Sequence, residues 1–152
     1  MGDPRRLRKK YETPKVKYEL ERIQAEKKLT QKYGLKNKKE VWRAESEVKR
    51  IRSLAKNLLT ASPEEQMKFL GRLENKGLIK AETVGDVLEI KTEDVLNRRL
   101  QTIISTKFKI KPRKARQAIV HGFVKVDHRK VNVPSFSVNL ELEKKINYGL
   151  KK

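Results

Sequence analysis

Apolar residues recur along this chain in two rhythms, and the change of rhythm divides it. Val41, Ala44, Val48, Ile51, Ala55 and Leu58 are spaced 3, 4, 3, 4 and 3 apart. That spacing keeps one helix face apolar and predicts an amphipathic helix of about 20 residues packed against other helices. Lys49, Arg50, Arg52 and Lys56 then fall on its wet side. Asn37, with Glu40 three residues on, reads as its capping box. Upstream, Thr13-Pro14 predicts a helix start, with Thr as cap and Pro in the first turn. This helix runs to about Tyr33, where Gly34 can supply a left-handed stop, and Val16, Leu20 and Ile23 share one face. Downstream, Ser62-Pro63-Glu64-Glu65 predicts a third start with a capping box. Met67, Leu70 and Leu73 form its apolar side, Phe69 lies beside them, and Asn75-Lys76-Gly77 is the stop. Thr83 with Asp86 predicts one more short turn.

Thr92 reads as the cap of a further helix, with Glu93 and Asp94 in its first turn. Val95, Leu96, Leu100, Ile103, Ile104 and Phe108 give this helix one buried side. Ile110-Lys111-Pro112 breaks it, because a residue before proline avoids the helical region. A second helix over 112–121 buries Ala115, Ala118 and Ile119 and ends at Gly122. The period then drops to two. Residues 123–126 predict a strand, 127–130 a turn and 131–133 a second strand, and Pro134-Ser135 interrupts. Strict alternation over 136–143 predicts a half-buried antiparallel strand. The predicted fold is α+β. It has a basic arm (1–12), a helical N-terminal region (13–91), a two-helix and antiparallel-sheet domain (92–143) and a ragged basic tail (144–152).

Composition narrows the function. The chain has 152 residues, no cysteine, 39 Lys+Arg and 19 Asp+Glu, for a formal charge of +20. No apolar run approaches the roughly 18 residues of a membrane span. The basic start carries no apolar segment behind it and does not read as a secretory signal. Without cysteine there is no disulfide framework, thiol nucleophile or thiolate zinc site, and an intracellular, cytoplasmic setting fits. The charge is uneven: +11 over 1–60, −3 over 61–96, +10 over 97–135 and +2 over 136–152. A folded unit this basic repels itself, and a polyanion relieves the repulsion. Nucleic acid leads, through counterion release on phosphate contact. An anionic membrane surface is second, and is disfavoured because the helices lack large aromatic membrane-facing sides.

Catalytic signals are lacking. His121 and His128 fall on different elements without metal-ligand spacing, and no phosphate-binding glycine loop or nucleophile elbow occurs. No cofactor or metal is expected. The informative constellation is cationic. Arg98, Arg99, Lys107, Lys109, Lys111, Arg113, Lys114 and Arg116 fall within 19 residues, on helices that keep an apolar side. Gln117 and His121 continue the polar stripe, and Lys125, Arg129 and Lys130 carry it onto the strands. Arg98, Arg99, Arg113, Lys114, Arg116 and Lys125 are expected to make much of the phosphate contact. Further candidates are Lys38, Lys39, Arg43 and Arg50 in the helical region, and Arg5, Arg6, Arg8, Lys9 and Lys10 in the arm. Sparse aromatics (Phe108, Phe123 and Phe136) argue against a base-stacking sheet and favour shaped RNA. Charge alone does not separate RNA from double-stranded DNA. The acidic stretch 61–96 is expected to face protein.

Several of these residues resemble a known family. Leu96-Asn97-Arg98-Arg99-Leu100-Gln101-Thr102 looks like the start of the RNA-binding domain named after small-subunit ribosomal protein four. So does the run from Arg113 through Ala115-Arg116, Ile119 and Gly122 to Val124-Lys125-Val126, followed by Val131-Asn132-Val133-Pro134-Ser135-Phe136. Upstream, Tyr33-Gly34-Leu35-Lys36-Asn37-Lys38-Lys39-Glu40-Val41-Trp42-Arg43 resembles the archaeal and eukaryotic branch of the ribosomal protein itself. The resemblance implies a structural protein, not an enzyme, that binds small-subunit ribosomal RNA at a multi-helix junction early in assembly. It also implies a place near the messenger RNA entry channel, with messenger RNA as a candidate contact, beside small-subunit proteins three and five. A stand-alone RNA-binding stress or assembly factor is the alternative. Two departures stand out: Asp127-His128 replaces the usual Asn-Gly turn, and Lys111-Pro112 replaces the usual Ser before the second helix.

Overall fold

Two helices, α1 (Leu20–Tyr33) and α2 (Lys38–Leu58), form the first layer of the computed structural model, which describes residues 9–149. On α2 the predicted stripe is the buried one: Val41, Ala44, Val48, Ile51 and Ala55 are at most 5% exposed. Gly34 ends α1 at φ +60°, as expected. The start of α1 differs, because residues 13–19 are not helical. The Arg22 guanidinium donates to the carbonyls of Val16 (2.8 Å) and Lys17 (3.0 Å), which fixes a turn there. Val16 and Leu20 consequently face solvent instead of a core.

α3 (Pro63–Asn75) packs back on α2 through Leu73, with Phe69 and Leu70 half-buried. Met67, expected inside, is 73% exposed. The Ser62 side chain makes no cap bond. Instead the Gln66 amide donates to the carbonyls of Leu58 (3.0 Å) and Ala61 (3.2 Å), tying the α2–α3 turn. A single 3-10 turn over Asp86–Glu89 follows, and Val84, Val87 and Ile90 close this core. Arg52, expected on the wet side of α2, donates instead to the Ile90 carbonyl at 2.6 Å.

The predicted helix from Thr92 to Phe108 is two helices, α4 (Thr92–Asn97) and α5 (Leu100–Lys107). α4 begins one residue earlier than expected, with Lys91 as cap and its N–H on the Asp94 carboxylate at 2.8 Å. The break at Arg98-Arg99 has a backbone cause. The first N–H groups of α5 are free of intrahelical partners. Leu100 N–H donates to Phe136 O (2.8 Å) and Gln101 N–H to Pro134 O (3.3 Å), while Val138 N–H returns to Arg98 O (3.0 Å). Residues 134–138, which begin with a turn closed by the Phe136 N–H on the Val133 carbonyl (3.2 Å), thus cap α5.

α6 (Pro112–Val120) and the strands β1 (Val124–Val126) and β2 (Arg129–Lys130) follow. The hairpin turn is tighter than predicted, just Asp127-His128, with Asp127 at φ +57°. Residues 131–133 are not a strand. Nor is 136–143 one, although its alternation does bury Val138. Asn139 instead precedes a short helix, α7 (Leu140–Lys144), with Glu141 and Glu143 in its first turn where the dipole favours them. The expected tail supplies β3 (Ile146–Tyr148), so the sheet runs β2-β1-β3, antiparallel throughout. Lys125 pairs with Lys130 on one side and Asn147 on the other. Leu100, Ile104, Ile119, Val124, Val138 and Ile146 form the core beneath it. Each of these side chains contributes roughly 1.5–3 kcal/mol of apolar burial.

Candidate nucleic-acid interface

The basic residues fall into two sets, separated by whether a carboxylate answers them. The first set lies on the seam between the helical layer and the sheet unit. Glu40, in the first turn of α2, carries no capping bond to Asn37. Its carboxylate reaches Arg99 at 2.5 Å and Arg116 at 3.1 Å. Burial alone would raise the Glu40 carboxyl, but the Arg116 hydrogen bonds and both guanidinium charges outweigh it and hold it below the usual carboxylate range. Burial lowers Arg99 from its ordinary value and Glu40 opposes the shift; the guanidinium stays charged. Arg98 is similarly engaged, with Glu143 at 2.8 Å and the Val138 carbonyl at 2.9 Å. Arg98 and Arg99 were expected to meet phosphate. They are folded inward and hold the protein together, and Arg116 is half-buried in the same cluster.

Beside this cluster sits Gln101, 1% exposed. Its amide nitrogen donates to the carbonyls of Tyr33 (3.1 Å), Gly34 (3.0 Å) and Pro112 (3.1 Å). A Cβ on Gly34 would come within 2.8 Å of Pro112 Cβ, so the absence of a side chain permits the close approach of α1 to α6. Tyr33 Oη adds bonds to Glu93 and Asn97. A second buried carboxylate, Glu26, gathers Arg22 (2.5 Å), Trp42 (2.9 Å) and Lys38 (3.4 Å) and fastens α1 to α2. Neither Glu40 nor Gln101 is recognisable in the sequence as a seam residue. Their partners lie up to 76 residues away, beyond any local spacing rule.

The second set is bare. Lys109, Lys111, Arg113 and Lys114 on and before α6 are exposed, as are Lys125, Arg129 and Lys130 on the hairpin. Among the described residues none of these seven forms an ion pair. Gln117 and His121 are exposed on α6. Lys107 donates to the backbone carbonyl of Glu143 at 3.1 Å, which holds it against α7. In the helical layer Lys39, Arg43 and Arg50 are exposed, and Lys38 leans on Glu26. Arg43 and Arg50 line a cleft of about 580 Å³ on the seam, opposite Ser135 and Ser137 and beside Lys10. Lys9 is exposed too; Arg5, Arg6 and Arg8 lie outside the described residues.

This arrangement can bind an extended polyanion. Cations on rigid helix and hairpin supports match a phosphate track, whereas one small anion would need convergent donors. No helix of the described residues is long and apolar enough to cross a membrane. Comparison with known proteins agrees. The family model for the S4 domain matches residues 98–143. Small ribosomal subunit protein uS4 of Methanothermobacter thermautotrophicus is 42% identical over 154 residues, spanning 97% of this chain and 90% of that protein. The uS4 proteins of Methanococcus aeolicus and Saccharolobus islandicus are each 41% identical over 155 residues, covering 97% of this chain and 88% and 86% of theirs.

Proposed function

This chain belongs to the uS4 family of small ribosomal subunit proteins, and on that footing we propose that it is a structural, non-catalytic constituent of that subunit which binds its ribosomal RNA directly. The observation that carries the reading is the bare cationic face of α6 and the hairpin, backed by a sheet core and locked to the helical layer. Arg113, Lys114, Lys111, Lys109, Lys125, Arg129 and Lys130 take phosphates there. Arg43, Arg50 and Lys10 extend the track along the seam cleft, with Lys9, Lys39 and the arm residues Arg5, Arg6 and Arg8 beyond it. Arg99 and Arg116 act one step back by fixing how the two layers meet, and Arg98 ties α7 and Val138 to the break between α4 and α5. In this reading the RNA-binding unit is 92–143, and β3 (Ile146–Tyr148) adds an edge strand to its sheet.

The finer reading is that the two rigid layers grip a multi-helix junction, early in subunit assembly, in the cytoplasm. A place near the messenger entry channel, beside small-subunit proteins three and five, follows from the family resemblance. The less basic 61–96 stretch is the side offered to those proteins. A salt titration tests the core of the reading. The full chain should prefer the 5′ region of small-subunit ribosomal RNA over a scrambled RNA of equal length by about a hundredfold, or roughly 2.7 kcal/mol. Equal binding that vanishes together with salt for both RNAs would point to a general RNA-binding factor instead.

A further inference from the structure

The wet face of the sheet is built in a way stability does not explain. Lys125 and Lys130 stand directly opposite each other on β1 and β2. Like charges in that position destabilise a strand pair. Among the described residues no carboxylate pairs with either: Asp127, the single acid between 97 and 135, lies 3.7 Å from Lys145 and the same distance from His128. Alternation along β1 puts Phe123 on the same face as Lys125, two residues earlier, because Val124 and Val126 point into the core. Phe123 is 39% exposed. Its cross-strand neighbour beyond β3 is Gly149, whose N–H donates to the Phe123 carbonyl at 3.0 Å and which offers no side chain to cover the ring. On the other flank the exposed His121 ring sits 6.3 Å from it, tilted by 33°.

We infer that this face is a nucleotide platform, in which an unpaired base of the ribosomal RNA stacks on Phe123 beside His121 while Lys125 and Lys130 hold its flanking phosphates. The inference rests on the proposed RNA-binding role and gives it a second kind of contact. The chain is too poor in aromatics for an extended base-stacking sheet, but one ring 39% exposed beside a glycine suits the π-face of a single base, and two unanswered lysines suit the backbone on either side of it. The pairing of two lysines then ceases to be a cost, because phosphate occupies the space between and around them.

Stacking and phosphate contact differ in salt dependence, and this separates them experimentally. The full chain and its Phe123→Ala, Phe123→Leu and Phe123→Trp variants are titrated with the 5′ region of small-subunit ribosomal RNA at several salt concentrations. Phe123→Ala should weaken binding about tenfold at every salt concentration, with the slope unchanged. Phe123→Leu should behave like Ala, since bulk does not replace a ring. Phe123→Trp should bind like the parent chain, and its added emission over the Trp42 background should be quenched by RNA. Lys125→Ala with Lys130→Ala should instead flatten the slope by about 0.7 per lysine for a single-stranded target. Parent-like binding by Phe123→Ala or Phe123→Leu, or an unquenched Trp in a folded variant, overturns the platform. A Phe123→Ala chain that binds RNA normally yet enters reconstituted subunits poorly assigns the face to a protein neighbour and also overturns it. If the parent chain fails to distinguish this RNA from a scrambled one, the ribosomal reading falls with it; if the parent discriminates, only the platform is at stake.

Discussion

Arg99 and Arg113 lie fourteen residues apart in the same basic run, and the fold gives them opposite surroundings. Arg99 is 8% exposed and bound to Glu40 from the other layer. Arg113 stands in solvent on α6 with no carboxylate partner among the described residues. The seam and the α6–hairpin face are therefore equally cationic in sequence and unequal in field. On the seam one carboxylate, Glu40, answers two guanidiniums and leaves a single net positive charge; each cation on the outer face adds to an uncompensated potential that steers RNA inward. Density of Lys and Arg identifies a nucleic-acid binder, but which cations touch phosphate depends on where the few carboxylates are placed.

Glu40→Ala strikes this contrast hardest. Leaving Arg99 buried without its partner should cost about 3 kcal/mol in denaturant unfolding. The freed Arg116 should also steepen the salt dependence of RNA binding, making the seam resemble the outer face. Gly34→Ala attacks the same seam through shape. A left-handed backbone carrying a side chain, pressed on Pro112, should lose about 2 kcal/mol in the same assay, with RNA affinity falling only as the chain unfolds. Acid separates the two regions next. The Glu40 and Glu26 carboxyls are both held below their ordinary range despite burial. The stability they give is thus complete above the unfolded carboxylate pKa and is lost as pH falls through their lower folded values. Melting temperature should drop below about pH 4, and Glu40→Gln should flatten that drop. The smallest effect on stability belongs to the outer face. Arg113→Ala with Lys114→Ala should leave unfolding within about 0.5 kcal/mol of the parent, since both side chains are free in solution. The same pair should lower the salt slope of RNA binding by about 0.9 per residue on a duplex target; an unchanged slope would remove both from the phosphate track.

How far the sequence could be read follows the range of the interactions involved. The α2 stripe is legible because each buried position is set by its neighbours three and four residues away. Gly34 and Gly122 are legible as stops because left-handed backbone singles out glycine; both have φ above +60° or equal to it. Residues 136–143 mislead, since alternation also suits an extended segment followed by a short helix, and the N-terminal donors of α5 are what draw residues 134–138 alongside it. Glu40 misleads in the same manner. Its spacing from Asn37 fits a capping box, yet two arginines far along the chain bind the carboxylate more strongly than a backbone N–H could. Within the candidate site, density of Lys and Arg picks out the whole basic run alike, and only their carboxylate partners separate Arg98 and Arg99 from the exposed cations of α6 and the hairpin.

The seam also sets an order of events during synthesis. Glu40 finds Arg99 59 residues later in the chain and Arg116 76 residues later. Gln101 must likewise await Pro112 before all three of its carbonyls are present. A nascent chain that has reached Asn97 can already assemble α1 to α4 around their own apolar contacts, while Glu40 remains a lone carboxylate at the edge of that cluster. Such long-range closures are slow compared with helix formation. The two layers therefore acquire their fixed mutual orientation, and with it a single shape to present to folded RNA, only after α6 has been made.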